Sequence, residues 1–169
     1  HGVSPEALAN ASKISAKTGC RLFTGTFPAR VDGGPGNPEV ERLPYFPEQV
    51  LQTLTGLDHL VLVGGEPPAS FFAYRGIPGQ LVPEGCKVSR LPQNEEDAVD
   101  ALSRLADRLG AAAETVKTCE RRATPRPTGP HDTKSIIQAV AATMPAGLNV
   151  ATDSGGGNAA HAYCQNEAS

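Results

Sequence analysis

The sequence predicts an α/β protein built on a three-layer parallel sheet, followed by a second α/β unit that is left incomplete. Helix signatures and short apolar strand signatures alternate along the chain, the order that a parallel sheet with right-handed crossovers requires. The run Leu60 to Val63 is apolar at every position, as strands buried on both faces of a parallel sheet are. A third observation sets the boundaries. Prolines cluster in "RRATPRPTGPHD", where Pro125, Pro127 and Pro130 enforce an extended course and the flanking charges keep it in water. The expected organisation is an α/β domain over residues 1–113, a proline-rich linker over 114–130, and the start of another domain over 131–169.

Each element has its own local reason. In "SPEALANASKISAKTG", Ser4 caps a helix, Pro5 takes the first turn, Glu6 faces the positive end and Gly19 stops it. Leu8, Ala11 and Ile14 line one face. "CRLFTGTF" reads as a short strand, and the Gly/Pro-rich stretch from Pro28 to Pro44 as a long loop. "PEQVLQTL" predicts a helix over Pro47 to Leu54, and the strand at Leu60 to Val63 follows Gly56. "GCKVSRL" offers another strand at Cys86 to Leu91. In "NEEDAVDALSRLADRLG", Asn94 is the expected cap, Ala98, Leu102, Leu105 and Leu109 the apolar stripe, and Gly110 the stop. Beyond the linker, Asp132 or Thr133 caps "KSIIQAVAATM", with Ile136, Ile137, Val140 and Met144 as its apolar face. Pro145 and Gly147 break that helix, and "LNVATD" is a strand candidate.

Two features read as if the chain were part of something larger. "HG" stands directly before a capped helix, where an α/β unit of this kind has its first strand and glycine turn, so that strand is expected to be missing. The tail holds one helix, one strand and the start of another helix, too little to bury a core of its own. An unpaired sheet edge beside the Ser4 helix is then expected, with marginal stability and association through it.

With 15 Lys and Arg against 18 Asp and Glu, the net charge is −3 and no basic block marks a nucleic-acid footprint. The apolar runs fall well short of the roughly 18 to 20 residues needed to cross a bilayer. Cys20, Cys86, Cys119 and Cys164 lie far apart, with no C-x-x-C pair, which reads as reduced thiols in a cytoplasmic protein and not as a metal centre.

Few residues carry chemistry by themselves. In "NVATDSGGGNAAHAY" a glycine triplet stands between a strand signature and a helix signature. Such a turn either cradles a phosphate or simply connects, and the residues alone leave both open. His59 follows Asp58, but neighbours on a strand point to opposite faces, so a surface histidine is the expectation; His131 and His161 are expected in solvent. "SFFAYRG" gathers Phe71, Phe72, Tyr74 and Arg75, either as a stacking platform or subunit contact, or as core packing under a proline-rich loop. Core or interface is the expectation. No G-x-S-x-G context supports a serine nucleophile.

Residues 1 to about 112, through "TFPAR", "ERLPYFPEQ" and "LVLVG", resemble the Rossmann-like central domain of thiamine diphosphate-dependent enzymes, above all the acetolactate synthase large subunit. "KSIIQAVAATMPAGLNVATDSGGG" resembles the opening of that family's pyrophosphate-binding domain. The resemblance implies a longer protein of three α/β domains, a homo-oligomer, that uses thiamine diphosphate and Mg2+ to decarboxylate a 2-keto acid and join the product to an acceptor carbonyl. It implies that Ser154, Gly155, Gly156, Gly157 and Asn158 neighbour the diphosphate, with Asp153 and Ser154 where the family commonly has an acidic pair. The activating glutamate and the G-D-G metal motif match nothing here, so this chain alone is expected to be inactive. FAD is a further possibility of the family at Gly64 and Gly65, which the residues argue against: "GGEPPAS" carries no arginine, and Glu66 repels phosphate. The other reading is a standalone α/β module that binds a nucleotide or a partner without catalysis.

Overall fold

A computed structural model describes residues 4–28, 35–92, 96–120, 124–130 and 132–144. They fall into two units, one of His1–Val31 with Val40–Lys117, the other of Asp32–Glu39 with Thr118–Ser169.

The first unit begins with α1, Pro5–Thr18. Ser4 caps it by accepting from the Ala7 amide at 3.3 Å, and Gly19 ends it at φ 74°, a conformation that costs a residue without Cβ little. Ala7, Leu8 and Ile14 are buried, and so is Ser12, whose hydroxyl accepts from the Lys117 amide at 3.1 Å. That bond makes a polar residue acceptable on a buried helix face and ties α1 to the end of the unit.

The strand expected over "CRLFTGTF" shrinks to β1, Phe23–Thr24, which pairs in parallel with β2, Glu41–Arg42. β2 lies inside the stretch that the sequence reads as loop. Two residues flanked by prolines give no periodicity to detect, and the pairing is fixed from outside by the Arg21 guanidinium, which grips Glu41 at 2.7 and 3.1 Å. α2, Pro47–Leu54, has the expected bounds and buries Val50 and Leu54. With Leu81 they form a core against which Phe23, Leu43, Leu51, Leu57 and Ile77 pack.

β3, His59–Val63, and β4, Lys87–Leu91, pair in parallel, with Leu62 opposite Arg90 and Val63 opposite Leu91. α3, Ala98–Arg108, lies against α1. Ala7, Ile14, Leu102, Ala106 and Ala111 make the second core, joined by Val63, Leu91, Val99 and Leu105.

The α/β expectation is met in part: among the described residues helices accompany two separate two-stranded parallel sheets. Two further expectations are corrected. β3 is not buried on both faces: Val61 is 44% exposed and its partner strand shows Val88 at 40%. Only the Val63 and Leu91 end reaches the helices, because α1 and α3 make their core there. The cap of α3 is Asp97, accepting from the Val99 and Asp100 amides at 2.8 and 3.0 Å; Asn94 is outside the described residues. The helix thus starts later, and its buried face is Ala98, Ala101, Leu102 and Ala106, while Leu109 is 41% exposed.

The Asp97 cap gives a pH-dependent expectation. Hydrogen bonds from the Asp100 and Val99 amides hold its carboxyl below the ordinary aspartate range. A depressed folded-state value stabilises above the unfolded pKa, and this is lost as pH falls through the folded value. Asp97→Ala should therefore lower the melting temperature at pH 7, and the gap to the unsubstituted chain should narrow progressively as pH falls below about 4. Thermal melts across pH check this; a gap constant down to acid would mean that the carboxylate charge contributes nothing.

In the second unit, the Gly36 amide donates to Cys119 O at 3.2 Å and the Cys119 amide to Asn37 O at 2.8 Å, around an antiparallel bridge of Pro38 and Thr118. α4, Thr133–Ala141, is capped by Asp132 in a capping box with Ser135. Ile136 and Val140 are 53% and 54% exposed, so the apolar face expected of α4 is largely open among the described residues.

Candidate functional site

Parallel α/β sheets bind ligands outside the carboxyl ends of their strands. In this chain that edge belongs to β3 and β4. β3 runs out into Gly64 at φ 64°, a left-handed conformation that favours glycine, and the Gly64 amide donates to Leu91 O at 3.2 Å, closing the turn onto β4. A Cβ placed on Gly65 would meet nothing within 4 Å.

The register then does what the loop sequence does not. Arg90 stands one residue before the end of β4, opposite Leu62, and its guanidinium reaches the turn. Nη1 donates to Gly65 O at 3.2 Å and to Glu66 Oε1 at 3.1 Å, while Nη2 donates to Glu66 Oε2 at 2.7 Å. This is a two-point, fork-to-fork match. Hydrogen bonding from Arg90, and then its charge, hold the Glu66 carboxyl below its ordinary range, and the carboxylate in turn raises the Arg90 pKa. The arginine absent from "GGEPPAS" is thus supplied from 25 residues away. Its donors face a carboxylate of the same turn, so the residues present do not fit a free dinucleotide phosphate.

Past Glu66 the chain folds back on itself. The Ser70 amide donates to Gly79 O and the Leu81 amide to Pro68 O, both at 2.9 Å, so residues 68–70 and 79–81 form a narrow base with "FFAYRG" at its tip. Buried Leu81 anchors the base in the α2 core. The tip is not core: Phe71 and Phe72 are 50% and 61% exposed. Phe71 meets Phe27 at 5.0 Å and stacks on Tyr45 at 5.9 Å, and Tyr45 also meets Phe46 at 5.2 Å. The core reading of "SFFAYRG" is overturned because short proline-bounded segments bring these rings together at a surface.

His59 is exposed, and its Nε2 lies 2.9 Å from Ser89 Oγ on the neighbouring strand. Among the described residues no group of three or more His, Cys, Asp or Glu could hold a metal ion, and Cys20, Cys86 and Cys119 are free thiols. No helix among them is long and apolar enough to cross a membrane.

Compared with known proteins, the chain is 42% identical over 139 residues to a Mycobacterium tuberculosis protein described as "Putative acetolactate synthase large subunit IlvX". The chain is acetolactate synthase large-subunit-like. The alignment covers 82% of this chain and 26% of that protein, so the acetolactate synthase-like chain spans about a quarter of its relative's length. No family model and no solved structure gives a significant match. Ser154, Gly155, Gly156, Gly157 and Asn158 lie outside the described residues, as do His131 and His161. The geometry that the structure supplies at this point is that of the β3–β4 edge.

Proposed function

We propose that this chain is a segment of a thiamine diphosphate-dependent enzyme of the acetolactate synthase type, one that decarboxylates a 2-keto acid and ligates the product to an acceptor carbonyl. The observation that carries this is the 42% identity sustained over 139 residues, far beyond what shared architecture alone produces. The parallel α/β pairing of β3 with β4 is compatible with a central domain of that family, whose full three-layer sheet we place in the longer protein.

In this reading thiamine diphosphate, held with Mg2+, supplies the electron sink for decarboxylation, while protein groups bind and orient the reactants. Ser154, Gly155, Gly156, Gly157 and Asn158 are the residues of this chain assigned to the diphosphate, their backbone amides accepting close approach because three of them lack a Cβ. The activating glutamate and the metal-holding residues belong to other parts of a homo-oligomer, so the 169-residue chain by itself is inactive. Reading the gene on both sides of this segment tests the assignment. An upstream α/β domain bearing the glutamate and a downstream G-D-G motif with its asparagine are expected; a start and a stop at the present ends would favour a standalone module.

A further inference from the structure

We propose that the exposed ring cluster of Phe27, Tyr45, Phe46 and Phe71 is a self-association surface, the centre of an interface between two copies of this protein.

The rings are held in place at the surface. Phe71 and Tyr45 stack with 15° between their planes, Phe27 lies 5.0 Å from Phe71 and 5.9 Å from Tyr45, and Phe46 stands edge-on to Tyr45. Polar bonds brace the segments that carry them: Arg42 Nε donates to Thr26 O at 2.7 Å, Thr26 Oγ1 to Pro44 O at 3.1 Å, and Ser70 Oγ to Pro78 O at 3.0 Å. Aromatic anchors fixed in this way lose little freedom when they are covered, which is what the hot spot of an interface requires.

The exposed area is of the right size. Phe27, Phe46 and Phe71 are 63%, 53% and 50% exposed, and three such rings leave roughly 250–400 Å2 of apolar surface open among the described residues. A stable interface takes about 800 Å2 from each partner, with an apolar centre inside a polar rim, so the rings supply the centre. A second copy is the occupant they fit. Near a two-fold axis each side chain meets its own image, where a charge would repel itself but Phe and Tyr rings can pair edge-to-face or offset-stacked. The inference rests on the homo-oligomer of the proposed function and names its contact surface.

Sedimentation velocity of the full-length protein, unsubstituted and with Phe27→Ser and Phe71→Asp combined, tests this. The double substitution should weaken association by roughly 30-fold or more, the scale of losing one hot spot, and so halve the mass where the unsubstituted protein holds together. Unchanged circular dichroism checks that the variant folds. A photoreactive benzoylphenylalanine placed at Phe46 identifies the occupant without removing a ring: a cross-linked product of twice the chain mass on a denaturing gel is expected. A monomeric unsubstituted protein would overturn both this inference and the homo-oligomer. An assembly that the double substitution leaves intact, or a cross-link that is absent or confined to one chain, would overturn this inference alone.

Discussion

Leu54→Ala is expected to lower the unfolding free energy by about 2–5 kcal/mol, the range for truncating a fully buried leucine. Leu54 is 1% exposed at the end of α2 and shares a core with Val50 and Leu81. The cost should fall towards the upper part of that range, because the site cannot collapse easily. Leu81 is pinned by the hydrogen bond from its amide to Pro68 O, and the surrounding apolar side chains are anchored on separate segments. Urea unfolding followed by circular dichroism measures the effect as a shift in midpoint. Leu109→Ala is the matched control: at 41% exposure it should cost well under about 1 kcal/mol. Equal shifts for the two variants would mean that the α2 core is not packed as described.

The second large effect concerns the assigned diphosphate turn. Gly156→Glu in the full-length protein should weaken thiamine diphosphate binding by roughly 10- to 100-fold, the equivalent of losing about one hydrogen bond to a charged group. On the proposed assignment, a side chain at that position would obstruct close backbone approach and its charge would oppose the phosphates. Gly156→Ala should cost less, since it adds bulk without charge. Calorimetric titration with the cofactor reads both. Unaltered affinity in Gly156→Glu would leave "SGGGN" as a plain strand-to-helix connection.

How much was legible beforehand differs by feature, and the reasons are physical. α1 and α2 could be bounded to the residue because their ends carry local chemistry: Ser4 with Pro5 and Gly19 for one, Pro47 for the other. The sequence places α3 but offers two capping side chains within four residues, Asn94 and Asp97, and the structure has Asp97 as the cap. β2 was invisible because two residues hold no periodicity. The burial expected of Leu60–Val63 failed because an apolar run reports what a strand can cover, not what is packed on it.

The β3–β4 edge shows the same division. Gly64, Gly65 and Glu66 read as a turn poorly suited to phosphate, and in the structure the Glu66 carboxylate pairs with Arg90. Arg90 was missed, since it enters through strand register, a relation between residues 25 apart that no local pattern displays. That Phe71 gathers Phe27, Tyr45 and Phe46 around it escapes the sequence for a like reason, since the rings are drawn from three segments.

The decisive measurement is carbon dioxide release from a panel of 2-keto acids by the full-length protein, with and without thiamine diphosphate and magnesium. Turnover that appears only when both are supplied, and that the 169-residue chain alone never shows, is the predicted result. Turnover by the chain alone, or a full-length protein to which thiamine diphosphate neither binds nor gives activity with any 2-keto acid, would contradict the assignment.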